Sequence, residues 1–151
     1  MGHAGVSIEV FSDQKTTSHE MLRQAEEIHT WIPNACIKYP CTTEGLRADQ
    51  VSVGNGLRVK MTLCFSQQQA AAVYSATRGT KTPASVSPFV GRLDDIGLNG
   101  VELIRNVKCM FAKGDGHVLV LAASIRSLDH LLACVALATE FVTVPAKVLV
   151  L

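Results

Sequence analysis

The sequence predicts an α/β fold built on a parallel sheet, and three observations predict it. Short apolar runs alternate with stretches whose apolar residues recur at helical spacing. The runs are apolar at nearly every position, the pattern of strands covered by helices on each side of a sheet. The strand and helix units recur roughly every 25 residues, which suits the unit of a (β/α)8 barrel.

The elements follow in order. Residues 6–11 read as a strand interrupted by Ser7 and Glu9, and residues 16–31 as a helix carrying Met21, Leu22, Ala25 and Ile28 on one face. Residues 35–39 form the second strand, and residues 43–53 a helix stopped by Gly54-Asn55-Gly56, where glycines supply left-handed backbone. Residues 57–64 read as a strand, and 66–77 as a helix opening on Gln67-Gln68-Gln69-Ala70. Residues 84–90 read as a strand, 91–100 as the longest loop, and 101–112 as a helix; loops of that length are more often functional than idle. A strand at 118–123, a helix at 128–138 and a last strand at 141–144 complete six strands and five helices. A closed eight-stranded barrel takes about 250 residues, so this chain reads as a partial TIM (β/α)8 barrel, one incomplete domain over residues 1–151.

Composition narrows the function. Fourteen basic and thirteen acidic residues leave a net charge of +1, without the basic stripe that binds phosphate backbones, so nucleic acid is not an expected partner. No apolar run approaches the roughly 20 residues that span a bilayer, and the first residues do not read as a signal peptide, so no membrane partner is expected either. Cys36, Cys41, Cys64, Cys109 and Cys134 have neither a disulfide pattern nor metal-ligand spacing; they read as small core residues in a reducing, cytoplasmic compartment, with no metal and no cofactor.

The chemistry lies in polar residues inside the strands. Glu9, Lys38, Lys60, Thr62, Ser87 and Ser124 interrupt otherwise apolar runs, and polar groups near the C-terminal ends of parallel strands are where such folds build sites. A lysine turned into an apolar interior favours its neutral amine, which attacks carbonyls, so Lys38 reads as a candidate Schiff-base nucleophile. The competing reading is a strand-end lysine that extends its ammonium into water. Lys60 and Thr62 share one face of their strand, opposite Val59, Met61 and Leu63. Arg92 and Arg126 follow strands closely and offer planar forks for a phosphate, unless Asp94 or Asp95 engages them.

The runs Ile8-Glu9-Val10, Cys36-Ile37-Lys38-Tyr39-Pro40, Met61-Thr62-Leu63-Cys64-Phe65-Ser66, Ser87-Pro88-Phe89-Val90-Gly91-Arg92 and Ala122-Ala123-Ser124-Ile125-Arg126 stand in the order and spacing of the transaldolase family. The chain resembles that family over nearly its whole length. The resemblance implies a class I Schiff-base barrel that moves a dihydroxyacetone unit between sugar phosphates, as in the pentose phosphate pathway. Lys38 matches the imine-forming lysine, and Glu9 and Thr62 match the pair that moves protons through a bound water. Ser87 matches a serine near the substrate hydroxyls, while Arg92, Arg126 and Ser124 match the phosphate-holding groups. Phe89 resembles the transaldolase side of the family, since related fructose-6-phosphate aldolases carry tyrosine there.

Two departures stand against this background. The family's first two strands, with an aspartate and a substrate-contacting asparagine, have no counterpart here, and the resulting open sheet edges are expected to pair with a second copy or to leave the fold weak. Lys60 stands where the family carries asparagine, which is expected to impair the site while offering a rival amine. Two other readings compete. One is a truncated, non-catalytic sugar-phosphate-binding or structural remnant. The other is an open flavodoxin-like domain, which calls for a glycine-rich phosphate loop where this chain has Ser12-Asp13-Gln14-Lys15.

Overall fold

In the computed structural model, which describes residues 5–150, the chain runs β1 (Val6–Glu9), α1 (Ser18–Trp31), β2 (Ala35–Pro40), α2 (Thr43–Gly54), β3 (Val59–Cys64), α3 (Gln67–Ala76) and β4 (Ala84–Pro88). It continues through α4 (Val90–Asp94), α5 (Gly100–Phe111), β5 (Val118–Ala122), α6 (Leu128–Ala136), β6 (Phe141–Val142) and α7 (Ala146–Leu149). The strands form one sheet in the order β1-β2-β3-β4-β5-β6, every neighbouring pair parallel. Among the described residues β1 and β6 each pair on one side only, and the sheet curls into a half-barrel, part of a TIM barrel.

Local chemistry places the helices. Thr17, Thr42, Ser66, Asn99 and Ser127 each precede a helix and accept a hydrogen bond from a backbone N–H of its first turn. At Thr17 the cap is reciprocal, because the Glu20 carboxylate accepts from the Thr17 N–H in return. The core lies between the convex face of the sheet and the helices: Ile37, Tyr39, Val59, Met61, Val86 and Val120 pack with Met21, Ala25, Ala48, Val73, Ile104 and Val107.

Several boundaries differ from the sequence reading. The expected loop at 91–100 contains α4, whose five residues are too few to show a helical period; buried Leu93 anchors it, and the Asp94 carboxylate accepts from the Gly100 N–H. Val90 opens that helix instead of closing β4. β1 stops at Glu9, β2 runs one residue further than expected, to Pro40, and β6 has two residues instead of four. Ser124 lies beyond the end of β5 with φ +60°, in the left-handed region. The strands are also not apolar on both faces. Many inward positions are polar, and among the described residues the helices pack on the opposite face, which is how a barrel lumen differs from a doubly covered sheet.

Candidate active site

The parallel register builds the site. Glu9 pairs with Lys38, Lys38 with Lys60, and Lys60 with Ser85, so one cross-strand layer of the concave face carries these four residues. Ser7 and Cys36 form the layer below, and Pro40 and Thr62 the layer above. Each pair shares a face because parallel neighbours keep the same pleat.

A cleft of about 320 Å³ opens on this face, lined by Ser7, Glu9, Lys38, Lys60, Ser87, Phe89, Leu121, Ala123, Ser124 and Thr143. On its floor Lys38 Nζ donates to Glu9 Oε2 at 2.9 Å, with a quarter of the lysine side chain exposed. Lys38 therefore sits in an ion pair at a cleft wall, and not among apolar side chains as its strand suggested. Lys60 Nζ donates to Ser7 Oγ at 2.7 Å, reaching across β2 to do so. Burial lowers the Lys60 ammonium's pKa, a nearby Cys36 thiol opposes the shift, and the Lys38 charge reinforces it.

Thr62 is fully buried, and its Oγ1 has no hydrogen-bond partner. It shares the inward face with Lys60 but does not line the cleft.

At the cleft mouth the Arg92 guanidinium lies 4.9 Å from the centroid of the Phe89 ring, a cation–π contact, and makes no ion pair among the described residues. Arg126 is paired instead with Asp95 at 2.8 Å, and its Nε lies 3.5 Å from Ser124 Oγ. The alternative in which an aspartate engages an arginine thus holds for Arg126 and not for Arg92. Gly91 makes this corner possible: its N–H donates to the Ser124 carbonyl, and a Cβ there would lie 2.4 Å from Arg126 Cγ.

Of the residues singled out in the sequence, Glu9, Lys38, Ser87, Phe89 and Ser124 share the cleft wall, while Thr62, Arg92 and Arg126 flank it. Ser7 and Thr143 line the cleft and were given no role from sequence. Period-two spacing from Glu9 would have found Ser7. Among the described residues no cluster of His, Cys, Asp and Glu could hold a metal, and no helix is long and apolar enough to cross a membrane.

Comparison with known proteins adds an independent line. A family model described as transaldolase/fructose-6-phosphate aldolase matches residues 2–150. A probable transaldolase of Roseiflexus castenholzii is 40% identical over 129 residues, covering 85% of this chain and 57% of that protein. One of Brucella ovis is 38% identical over 134 residues, covering 89% and 59%, and one of Paracoccus denitrificans is 37% identical over 144 residues, covering 95% and 63%. The chain thus spans less than two thirds of the length of the curated relatives it matches. With the parallel half-barrel, the match over nearly all of its own residues assigns the chain to the transaldolase/fructose-6-phosphate aldolase family.

Proposed function

We propose that this chain carries transaldolase chemistry: transfer of a dihydroxyacetone unit between sugar phosphates of the pentose phosphate pathway through an imine on Lys38. The observation that supports it most directly is the ion pair of Lys38 and Glu9 at 2.9 Å on the floor of the cleft. Imine formation needs a neutral amine beside a group that accepts its proton, and the Glu9 carboxylate is within one hydrogen bond of Lys38 Nζ. The protonated imine then serves as electron sink while the carbon–carbon bond breaks, and Glu9 returns a proton through a water that the unpartnered Thr62 hydroxyl helps to hold.

Ser87 is assigned to the substrate hydroxyls, and Phe89 walls the cleft beside them. Arg92, Arg126 and Ser124 are assigned to the phosphate; Arg92 is free of carboxylates, whereas Arg126 exchanges Asp95 for the anion. The five free cysteines suit a reducing compartment, and we place the protein in the cytoplasm.

Reduction with borohydride in the presence of fructose 6-phosphate tests the reading. A sugar-derived mass on Lys38 is expected, and its absence favours a second reading, a non-catalytic sugar-phosphate-binding remnant, to which the Arg126–Asp95 pair also lends support. The free edges of β1 and β6 are assigned to a second copy of the chain. A monomeric, monodisperse species in sedimentation overturns that assignment.

A further inference from the structure

We propose that Lys60 is a second carbonyl-capturing amine of this cleft, able to form an imine with a small ketose independently of Lys38.

The two lysines share one layer, but their surroundings are unlike. Lys38 faces a carboxylate at 2.9 Å. Lys60 has only the Ser7 hydroxyl, at 2.7 Å, and no carboxylate within ion-pair distance among the described residues. The other groups around its tip are the Cys36 thiol and the Lys38 ammonium, and Glu9 is already committed to Lys38. A half-buried ammonium beside a like charge, without a counter-ion, is driven toward the neutral amine. Burial lowers its pKa accordingly. The nitrogen is not closed off, because both Lys60 and Ser7 line the 320 Å³ cleft, whose volume admits a sugar of a few carbons.

The step balances without any further reagent. The Lys60 Nζ lone pair attacks the carbonyl carbon, forming a C–N bond, and the carbonyl electron pair moves onto oxygen. A proton passes from nitrogen to that oxygen, with Ser7 Oγ beside the amine able to relay it. Protonation from solvent then lets the C–O bond break with loss of water, leaving a protonated C=N group. Amine, ketone and one proton become iminium and water, and no electrons enter or leave.

This inference does not depend on the role given to Lys38. The test is borohydride reduction of the whole chain with dihydroxyacetone, followed by mass mapping of modified lysines, in the native protein and in Lys38→Arg and Lys60→Arg. At neutral pH, Lys60 is expected to be labelled severalfold faster than exposed Lys15 and Lys81. That labelling persists in Lys38→Arg and disappears on unfolding in urea. Labelling of Lys60 no faster than of Lys15, or its loss in Lys38→Arg with the fold intact by circular dichroism, overturns the inference. Adduct at Lys38 alone leaves the proposed function standing and removes this one; adduct at Lys60 alone does the reverse. Should Lys38→Arg not fold, the native chain's pH profile decides: half-maximal labelling of Lys60 must lie below that of Lys15.

Discussion

Gly91 lies against Arg126 so closely that a methyl group on its Cα would come within 2.4 Å of the arginine's Cγ and 2.5 Å of the Ser124 carbonyl. The arginine can swing away, but the carbonyl belongs to backbone that accepts the Gly91 N–H. Gly91→Ala is therefore expected to destabilise the fold by about 1–3 kcal/mol, the cost of overpacking. It should also weaken inorganic phosphate binding at this corner. Urea unfolding and calorimetric titration check the two effects; an unchanged midpoint would show that the corner yields freely.

Ala138 takes φ +50° just after α6, where its N–H bonds the Val135 carbonyl and the Thr139 N–H bonds the Cys134 carbonyl. That is a Schellman ending, whose left-handed position favours glycine. The residue is exposed, so little packing is at stake. Ala138→Gly should stabilise the chain by about 0.5–1 kcal/mol, seen as a higher urea midpoint.

Asp49 on α2 is fully buried with both carboxylate oxygens unpartnered, and burial raises its pKa from 3.8 to about 7. The folded chain keeps a proton that the unfolded chain has released, so between pH 4 and 7 this residue makes stability fall as pH rises. The loss is on the order of 4 kcal/mol by pH 7. Asp13, Glu20 and Glu44 are shifted down by hydrogen bonds and act with the opposite sign, so the difference from Asp49→Asn isolates the effect. The gap in unfolding free energy between variant and parent should widen in favour of the variant across that window. A gap that stays constant with pH would mean the carboxyl titrates normally.

Glu9→Gln keeps the shape of the Lys38 partner and removes its ability to take a proton. If Glu9 handles protons as proposed, kcat for ketol transfer should drop by about 10²–10⁴ with a small change in KM. The partly exposed ion pair contributes at most about 1 kcal/mol to folding, so the unfolding midpoint should barely move. Equal losses in kcat and in stability would point to a structural role instead.

Much of this was legible in the sequence because two periods carry it. The alternation of Val59, Met61 and Leu63 with Lys60 and Thr62 assigns two faces from spacing alone, and the structure keeps Val59 and Met61 in the core and Lys60 in the cleft. What stayed hidden depends on contacts between distant segments. No local signal says which of the two arginines Asp95 engages, or that Lys60 crosses β2 to Ser7. α4 was hidden for a different reason, since its five residues are too few to show a repeating pattern.

The one-sided placement of the core has a consequence for how such a chain tolerates change. Apolar side chains of the strands pack against α1, α2, α3 and α5, while the lumen side mixes polar residues such as Glu9, Lys38 and Lys60 with Phe89 and Leu121. Adding or removing a strand at either rim alters backbone pairing and how wet the lumen is, but leaves the buried layer nearly whole. The packed core and the cleft thereby occupy opposite surfaces of one sheet.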